Sequence, residues 1–399
     1  MKSAWSSRER MLAALACQTG DGVPCAFMIY GALKSRCASY LEFVERQVEL
    51  GLDTVVEIPP RPPQVVNDAY NLHGLPVSYD ARVTVSERVV SIPGEKYPVM
   101  VKEYHTPAGV LTAEVRQTED WRWGNHVPFL DDYITPRSRK FLLDFQQANS
   151  DDLAALGYLL SAPTGAEIEA FRAESQPALD LAHRRGLLVA GGWGVGADLL
   201  GWVYGLENMM YASFDRPEFL QELLAQVAAW NCRRMEVVLA AGVDLYIKRA
   251  WYENCDFWSP RAWKKFIAPI LKADVELAHQ AGAKFGYIIT SSCMPLLELL
   301  ADCGVDALIG VDPHCWDMEA ARQKLAGRVC LWGGVNGHLT VEGGEAEAVR
   351  DEVRQAMSLF GAGGGFILSP VDNVRQDTPR SQENVRALID EWRKCANVK

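Results

Sequence analysis

The sequence predicts an α/β protein, a (β/α)8 TIM barrel with an antiparallel β insertion between strands 2 and 3. Eight short apolar runs recur along the 399 residues, most are followed by a helix-length amphipathic stretch, and no linker interrupts them. Parallel strands covered on both faces read as continuous apolar runs, and alternation with helices is typical of βαβ units. The predicted strands are Val23–Tyr30, Thr54–Ile58, Leu187–Gly191, Leu245–Arg249, Lys284–Ile289, Ala307–Val311, Val329–Trp332 and Gly365–Ser369.

Helices are predicted before the first strand and between the later ones. Met11, Leu12, Ala14 and Leu15 form a helical apolar stripe in the opening segment, which runs to about Gln18. The later helical stretches are Arg137–Gln147, Ala166–Arg185, Gly196–Tyr211, Pro217–Ala241, Ser259–Ala281, Met294–Cys303, Met318–Leu325, Glu345–Phe360 and Pro379–Cys395.

The strand-helix rhythm stops between Pro59 and about Thr164. Strand-like runs separated by Pro-Gly and Pro-Ala-Gly turn signals predict an antiparallel sheet there. These runs are Thr84–Val90, Val99–Tyr104 and Val110–Gln117. Long insertions beyond strand ends commonly cap a site, so we interpret residues 1–399 as a single domain in which 59–164 form an insertion or cap.

Composition excludes several classes of function. A net charge of −11 and a pI near 5.3 argue against a nucleic-acid partner, which needs clustered Lys and Arg. No signal-peptide-like stretch and no run long enough to span a membrane is present, so a cytoplasmic protein is expected. The ten cysteines are scattered and lack CxxC spacing, which favours small buried side chains in a reducing compartment.

Segments in the C-terminal part of the chain carry a family resemblance in their order and spacing. They are Ser259–Pro269, Ala281–Lys284, Ala301–Ala307, Leu331–Asn336, Gly363–Ser369 and Glu383–Leu388. They resemble the uroporphyrinogen decarboxylase family, which contains decarboxylases and corrinoid-dependent methyltransferases. Two N-terminal segments, Arg8–Leu15 and Thr106–Leu111, resemble the methyltransferase branch, to which the chain is closer.

The decarboxylase branch differs from this chain where it holds its substrate. That branch has an Arg-Gln-Ala-Gly-Arg-type segment after strand one and an aspartate after strand two. Here the two positions read Met28–Arg36 and Glu57–Arg61. A substrate with eight carboxylates needs a set of guanidinium groups, and Lys34, Arg36 and Arg61 are few and scattered. Uroporphyrinogen decarboxylation is therefore the alternative function.

The thiol-specific methyltransferases of the family also differ from this chain. They hold zinc through a His-x-Cys pair after strand five and a Cys after strand eight. Here the matching stretches are Tyr287–Cys293 and Ser369–Asp372, which lack both the histidine and the last cysteine. A zinc site with other ligands is kept as an alternative. Its candidate ligands are Glu253, Cys293, His314 and Asp372.

Polar and aromatic residues cluster at the predicted strand ends, where the chemistry of such barrels takes place. The densest group is the loop Lys248–Trp258, in which Glu253 is predicted to be an acid, a substrate anchor or a metal ligand. Its tryptophans alternatively just pack the loop. The predicted catalytic residues are Glu253, Asp312 and Asp372. The predicted substrate-binding residues are Tyr30, Glu57, Trp193, Trp251, Tyr252, Asn254, Tyr287, Trp332 and Asn336.

An aromatic-rich mouth suits a flat, partly apolar substrate. We therefore predict transfer of a methyl group between a small donor, such as an aromatic methyl ether, and a corrinoid. The chain lacks an Asp-x-His-x-x-Gly corrinoid-binding segment, so the resemblance implies a separate corrinoid protein as partner. A third interpretation is a barrel that binds a tetrapyrrole or corrinoid without transforming it.

Overall fold

A computed structural model describes residues 5–60, 73–132 and 134–396. Its two sheets are a curled, seven-stranded parallel sheet of order β1-β6-β7-β8-β9-β10-β11 and a four-stranded antiparallel sheet of order β2-β3-β4-β5. The strands are β1 (Val55–Ile58), β2 (Thr84–Val90), β3 (Val99–Thr106), β4 (Gly109–Arg116), β5 (Ser138–Lys140), β6 (Leu188–Val195), β7 (Leu245–Arg249), β8 (Lys284–Ile288), β9 (Ala307–Val311), β10 (Cys330–Asn336) and β11 (Phe366–Val371).

Helices separate the parallel strands along the chain. They are α1 (Ser7–Leu15), α2 (Gly31–Lys34), α3 (Tyr40–Glu49), α4 (Ser150–Leu159), α5 (Gly165–Arg185), α6 (Ala197–Val203), α7 (Leu206–Asp215), α8 (Pro217–Ala240), α9 (Pro260–Phe266), α10 (Ala268–Gln280), α11 (Leu297–Asp302), α12 (Met318–Leu325), α13 (Ala346–Phe360) and α14 (Pro379–Ala396). Several begin with a capping box. In it the side chain of the N-cap residue accepts from the backbone amide three residues later, and the glutamate at that later position accepts from the backbone amide of the N-cap residue. Ser6 with Glu9 and Thr164 with Glu167 are examples.

The parallel sheet buries side chains on both of its faces. Alternate residues of its strands point to a compact interior cluster that includes Leu245, Ile247, Ile288 and Ile309. The residues between them point outward into a larger core that is shared with the surrounding helices. This alternation decides which strand residues can reach a ligand in the interior.

The predicted first strand, Val23–Tyr30, is not formed as a regular strand. The segment makes isolated parallel bridges, Cys25 with Leu368 and Ile29 with Asn373, beside β11. On its other side the amide of Cys25 donates to the Asp53 carboxylate at 3.1 Å instead of joining a strand ladder. A side chain has thus taken the place of the backbone acceptor. The sheet is similar to a TIM barrel and has seven regular strands within the described residues.

The other strand predictions are close to the observed elements, and the three predicted antiparallel runs correspond to β2, β3 and β4. That sheet lies between β1 and β6 in chain order. The predicted helix Arg137–Gln147 is wrong, because Ser138–Lys140 extend as β5 and pair with β4. Part of the predicted cap region, 61–72, lies outside the described residues. No helix within the described ranges is both long and apolar enough to cross a membrane.

Candidate active-site cavity

A bulge in strand β6 changes which side chain points into the interior of the parallel sheet. Gly192 pairs with Ile247 and Gly194 pairs with Lys248, so Trp193 is an extra residue that forms a bulge. By simple alternation Trp193 would point outward, as Gly191 does towards Val238. The bulge, with φ of +60° at Trp193, turns the indole into the interior instead.

The interior cavity lies at the carboxyl ends of the parallel strands. It encloses about 780 Å³ not filled by protein atoms, part of it open to solvent. Aliphatic and aromatic side chains dominate its wall, which is typical of sites for small organic ligands. The lining residues are Phe27, Met28, Ile29, Tyr30, Gly31, Lys34, Tyr40, Phe43, Gln47, Val55, Glu57, Trp193, Ile247, Ile288, Ile309 and Trp332.

Two charged side chains, Lys34 and Glu57, stand among these apolar groups. The indole of Trp193 donates a hydrogen bond to Glu57 Oε1 at 3.1 Å, which fixes the ring against the carboxylate. The Lys34 ammonium lies 5.7 Å from the centre of the Tyr40 ring. Both charged groups are half-buried. Among the described residues, the cavity wall therefore contains the ammonium of Lys34 and the hydrogen-bonded carboxylate of Glu57.

Tyr30 and Trp332 complete the aromatic wall. Burial raises the pKa of Tyr30, so its hydroxyl stays protonated and able to donate a hydrogen bond at neutral pH. The indole of Trp332 donates to the carbonyl of Ala26 at 2.8 Å, which fixes its ring in the interior. These rings are held in place before any ligand arrives.

Glu253 lies in a separate place, between the sheet and its helices. Its Oε1 accepts from the amide of Ala197 at 2.9 Å, and its Oε2 accepts from the hydroxyl of Tyr287. Beside it Lys248 donates to Asp274 Oδ2 at 2.8 Å. We call Lys248, Glu253, Asp274 and Tyr287 the charge cluster; all four are buried.

The carboxylates of the charge cluster raise the pKa values of their neighbours Lys248 and Tyr287. Burial opposes the charge of Lys248, but Asp274 and Glu253 outweigh it and hold the pKa of this lysine above its ordinary value. Burial, reinforced by Glu253, raises the pKa of Tyr287 well above its ordinary value. Lys248 and Tyr287 thus stay protonated as donors to the carboxylates.

The charge cluster has room for its carboxylate only because residue 196 is a glycine. A Cβ atom at this position would overlap Glu253 Oε1 and press on the Lys248 side chain. Only glycine lets the chain pass so close to the carboxylate. Among the residues described, the cluster is therefore a packed structural element as well as a polar one.

The loop that follows β7 is held by hydrogen bonds within the loop, to α6 and to the segment after β8. Asn254 donates to the carbonyl of Trp251 and to Ser291 Oγ, at 3.1 and 3.2 Å. Asp198 accepts from the amide of Tyr252 and from Arg249, at 3.1 and 3.0 Å. Burial raises the pKa of Asp198 to about 6, against the opposing effect of Arg249. Within the described residues, none of these side chains lines the interior cavity.

A third polar group follows β9 and β10. Asn336 donates to both carboxylate oxygens of Asp312 at 3.0 and 2.9 Å. Glu352 accepts from the amide of Asn336 and lies 2.8 Å from the Nε2 atom of His314. Asn336 also caps the following π-helical turn through the amide of Leu339. These contacts order the strand-end loops.

The four predicted metal ligands do not meet. Asp372 is exposed and lies 3.9 Å from Arg375, and Glu253 is occupied within the charge cluster. Burial raises the pKa of the Cys293 thiol, which opposes the thiolate that zinc binds. Within the described residues no three His, Cys, Asp or Glu side chains form a metal-binding group. These residues do not fit a zinc site.

The structure therefore brings four of the predicted site residues together: Tyr30, Glu57, Trp193 and Trp332. The others lie in the charge cluster, in the loop after β7, in the Asp312 group, or at the surface. Sequence reasoning missed Lys34 as a cavity residue and also missed Tyr40 and the isoleucines. For the isoleucines, the alternation of inward and outward side chains along each strand was a signal that could have found them. Lys34 and Tyr40 lie in α2 and α3, which the sequence analysis did not predict.

Residues 185–395, more than half of the 399, match the family model described as uroporphyrinogen decarboxylase (URO-D). The chain belongs to the uroporphyrinogen decarboxylase family. The resemblance stated from the sequence is confirmed at the level of the family.

Relatives within the family match parts of the chain. A uroporphyrinogen decarboxylase of Methylococcus capsulatus is 28% identical over 180 residues, which cover 44% of this chain and 49% of that one. A uroporphyrinogen decarboxylase of Ralstonia pickettii is 40% identical over 100 residues, 24% of this chain and 25% of that one. The matched part thus spans about half of the first relative and a quarter of the second.

Structural similarity extends over nearly the whole chain. A methyltransferase from Methanosarcina mazei superposes with a TM-score of 0.58 and 17% identity. The superposition covers 98% of this chain and 99% of that one. At this level of identity the likeness shows a shared fold.

Glu253→Gln tests whether the carboxylate acts in the chemistry or in the charge cluster. We expect a loss of stability of about 1–3 kcal/mol, because an amide beside Lys248 replaces a charge that the cluster needs. We expect catalysis by the folded variant to stay within threefold of the parent. Thermal unfolding measures the first and steady-state kinetics the second. A fall in rate of a hundredfold with unchanged stability would show that Glu253 is a catalytic group.

Proposed function

We propose that this protein is a methyltransferase that moves a methyl group between a small donor bound in the interior cavity and a corrinoid carried by a partner protein. The observation that carries the proposal is the cavity wall, which within the described residues is mostly aromatic and aliphatic and includes the ammonium of Lys34 and the carboxylate of Glu57. Family membership and the full-length fold similarity to a methyltransferase support it.

The cavity is suited to an uncharged, flat donor such as an aryl methyl ether. Trp193 and Trp332 contribute aromatic rings to its wall, and Ile288 and Ile309 contribute apolar side chains. Ring stacking and exclusion of water stabilise such a ligand by burying its apolar surface. Glu57 keeps the Trp193 ring in place for this contact.

Lys34 is the residue of this cavity that assists the departure of the donor oxygen. When the methyl carbon–oxygen bond breaks, the electron pair stays on the oxygen, which then takes a proton from the Lys34 ammonium. A positioned proton donor typically contributes 10²–10⁴-fold to the rate. Tyr30 also lines the cavity, and its raised pKa keeps its hydroxyl protonated at neutral pH.

The corrinoid supplies a cobalt nucleophile that accepts the methyl group when it is bound by its own protein. The part of this chain that receives it is the open end of the cavity, beside the carboxyl ends of the strands. No step here uses zinc, because the predicted ligands form no metal-binding group among the described residues.

A methylation assay tests this proposal. Cob(I)alamin is mixed with the protein and a panel of methyl donors, and its absorbance is followed as it becomes methylated. We propose that aryl methyl ethers react faster than aliphatic donors, and that Trp193→Ala weakens donor binding while Trp5→Ala, an exposed tryptophan, does not. Failure of every donor in the panel, with the corrinoid protein also supplied, would refute the proposal.

Decarboxylation of uroporphyrinogen is the second candidate, favoured by the names of the sequence relatives. No arginine of the described residues lines the interior cavity, whereas eight carboxylates need several guanidinium partners. We therefore expect no coproporphyrinogen above background when the protein is incubated with uroporphyrinogen and the oxidised products are measured by fluorescence. A genuine uroporphyrinogen decarboxylase serves as positive control, and steady product formation would reverse the ranking.

A further inference from the structure

A second depression lies next to the interior cavity, between α3 and the C-terminal helix α14. It encloses about 730 Å³ not filled by protein atoms and is open to solvent. We call it the arginine groove, because three arginines contribute to its wall. Its polar lining consists of Tyr30, Arg36, Arg46, Glu49, Gln382 and Arg386.

The arginines of this groove are incompletely neutralised. Among the described residues, Arg386 has no carboxylate within ion-pair distance. Arg36 contacts Asp377 at 3.4 Å, and both side chains are partly exposed. Arg46 contacts Glu49 at 3.1 Å and Glu42 at 3.7 Å on the surface of α3. Among the described residues, Arg386 is thus the arginine of this groove that no carboxylate neutralises.

Tyr30 links this groove to the interior cavity, since its side chain lines both. Its hydroxyl is close enough to Arg36 and Arg386 for both guanidiniums to oppose the effect of burial on its pKa. The side chains of Tyr30, Gln382, Arg36 and Arg386 therefore line the same groove. This set of groups is complementary to an oxyanion.

We propose that the arginine groove is an anion-binding subsite that takes a carboxylate or phosphate group. Arg386 and Arg36 bind the oxyanion through charge-assisted hydrogen bonds, and the Tyr30 hydroxyl donates on the side of the interior cavity. Arginine is suited to this role because its planar fork matches both carboxylate and phosphate oxygens. Binding of an anion at this subsite does not require methyl transfer, so it can be tested separately from the proposed function.

The test is calorimetric titration of the purified full-length chain with two probes, inorganic phosphate and benzoate, at low ionic strength. Arg386→Ala and Arg36→Ala are compared with Arg380→Ala. Arg380 lies on the same helix, loses the same charge and is exposed outside the groove. We expect the Kd of the bound probe to rise at least about tenfold in the first two variants and to stay within twofold in the third. Circular dichroism confirms that each variant is folded.

Competition between the probes identifies the source of the anion. If phosphate displaces benzoate, both use the groove; if only one binds, that chemistry is the one recognised. Binding should weaken as salt is raised, because the contacts are charge-based. The proposal is overturned if neither probe binds below about 10 mM. It is also overturned if Arg386→Ala binds as tightly as Arg380→Ala.

Discussion

Asp274→Ala is expected to lower the free energy of unfolding by about 3–5 kcal/mol, because it leaves the Lys248 ammonium buried without its nearest carboxylate. The two side chains are in contact at 2.8 Å, with 4% and 11% of their surfaces exposed. Water therefore reaches the pair poorly and cannot replace the lost partner. Glu253 is the remaining carboxylate of the charge cluster, and it is already engaged by Tyr287 and by the amide of Ala197.

The matched control is Glu276→Ala, on the exposed side of the same helix. It removes a carboxylate that is solvated, and we expect a change within about 0.5 kcal/mol. Urea unfolding followed by circular dichroism gives both values. A difference below about 1 kcal/mol between the two variants would mean that the charge cluster is hydrated or that the lysine is neutral in the folded chain.

Lys34→Met is expected to lower kcat for an unactivated aryl methyl ether by about 10²–10⁴-fold. Methionine keeps much of the apolar stem but cannot give a proton to the departing oxygen. The loss should be much smaller for 4-nitroanisole, because the nitrophenolate leaving group needs less help from a proton donor. The expected result is thus a change in the dependence of rate on leaving group.

Lys272→Met, on an exposed position of α10, is the control for loss of one positive charge. Its kcat should equal that of the parent for both donors. A uniform loss of activity in Lys34→Met for both donors would assign this lysine to ligand positioning or to folding. An unchanged rate for both would remove it from the chemistry altogether.

Sequence reasoning found the strands because their apolar runs need no knowledge of tertiary contacts. Leu245–Arg249 and Ala307–Val311 were predicted at the observed limits. The segment Val23–Tyr30 has the same composition as a strand, yet the carboxylate of Asp53 binds one of its amides. This contact joins residues 28 positions apart in the sequence, and no local pattern contains it.

The candidate site was harder to predict because a strand end does not say which way each side chain points. Ile247 points into the interior, so its neighbour Lys248 must point to the helices. The same rule places Tyr287 outward beside Glu253 and Ile288 inward. A period-2 assignment from the sequence would have separated these residues. It would have failed for Trp193, whose direction depends on a bulge.

The two indoles of the interior cavity both stand beside breaks in strand register. Trp193 is the inserted residue of β6, and the register between β9 and β10 shifts directly after Trp332, where Gly310 has no partner. At such breaks a strand takes in an unpaired residue, which changes the face to which the neighbouring side chains point. Point changes at these two positions are therefore expected to alter which ligand the cavity accepts. At Trp332, which is 2% exposed and donates to the carbonyl of Ala26, they also remove buried packing and a hydrogen bond. Random libraries limited to residues 193 and 332 are the economical starting point for altering which donor is accepted.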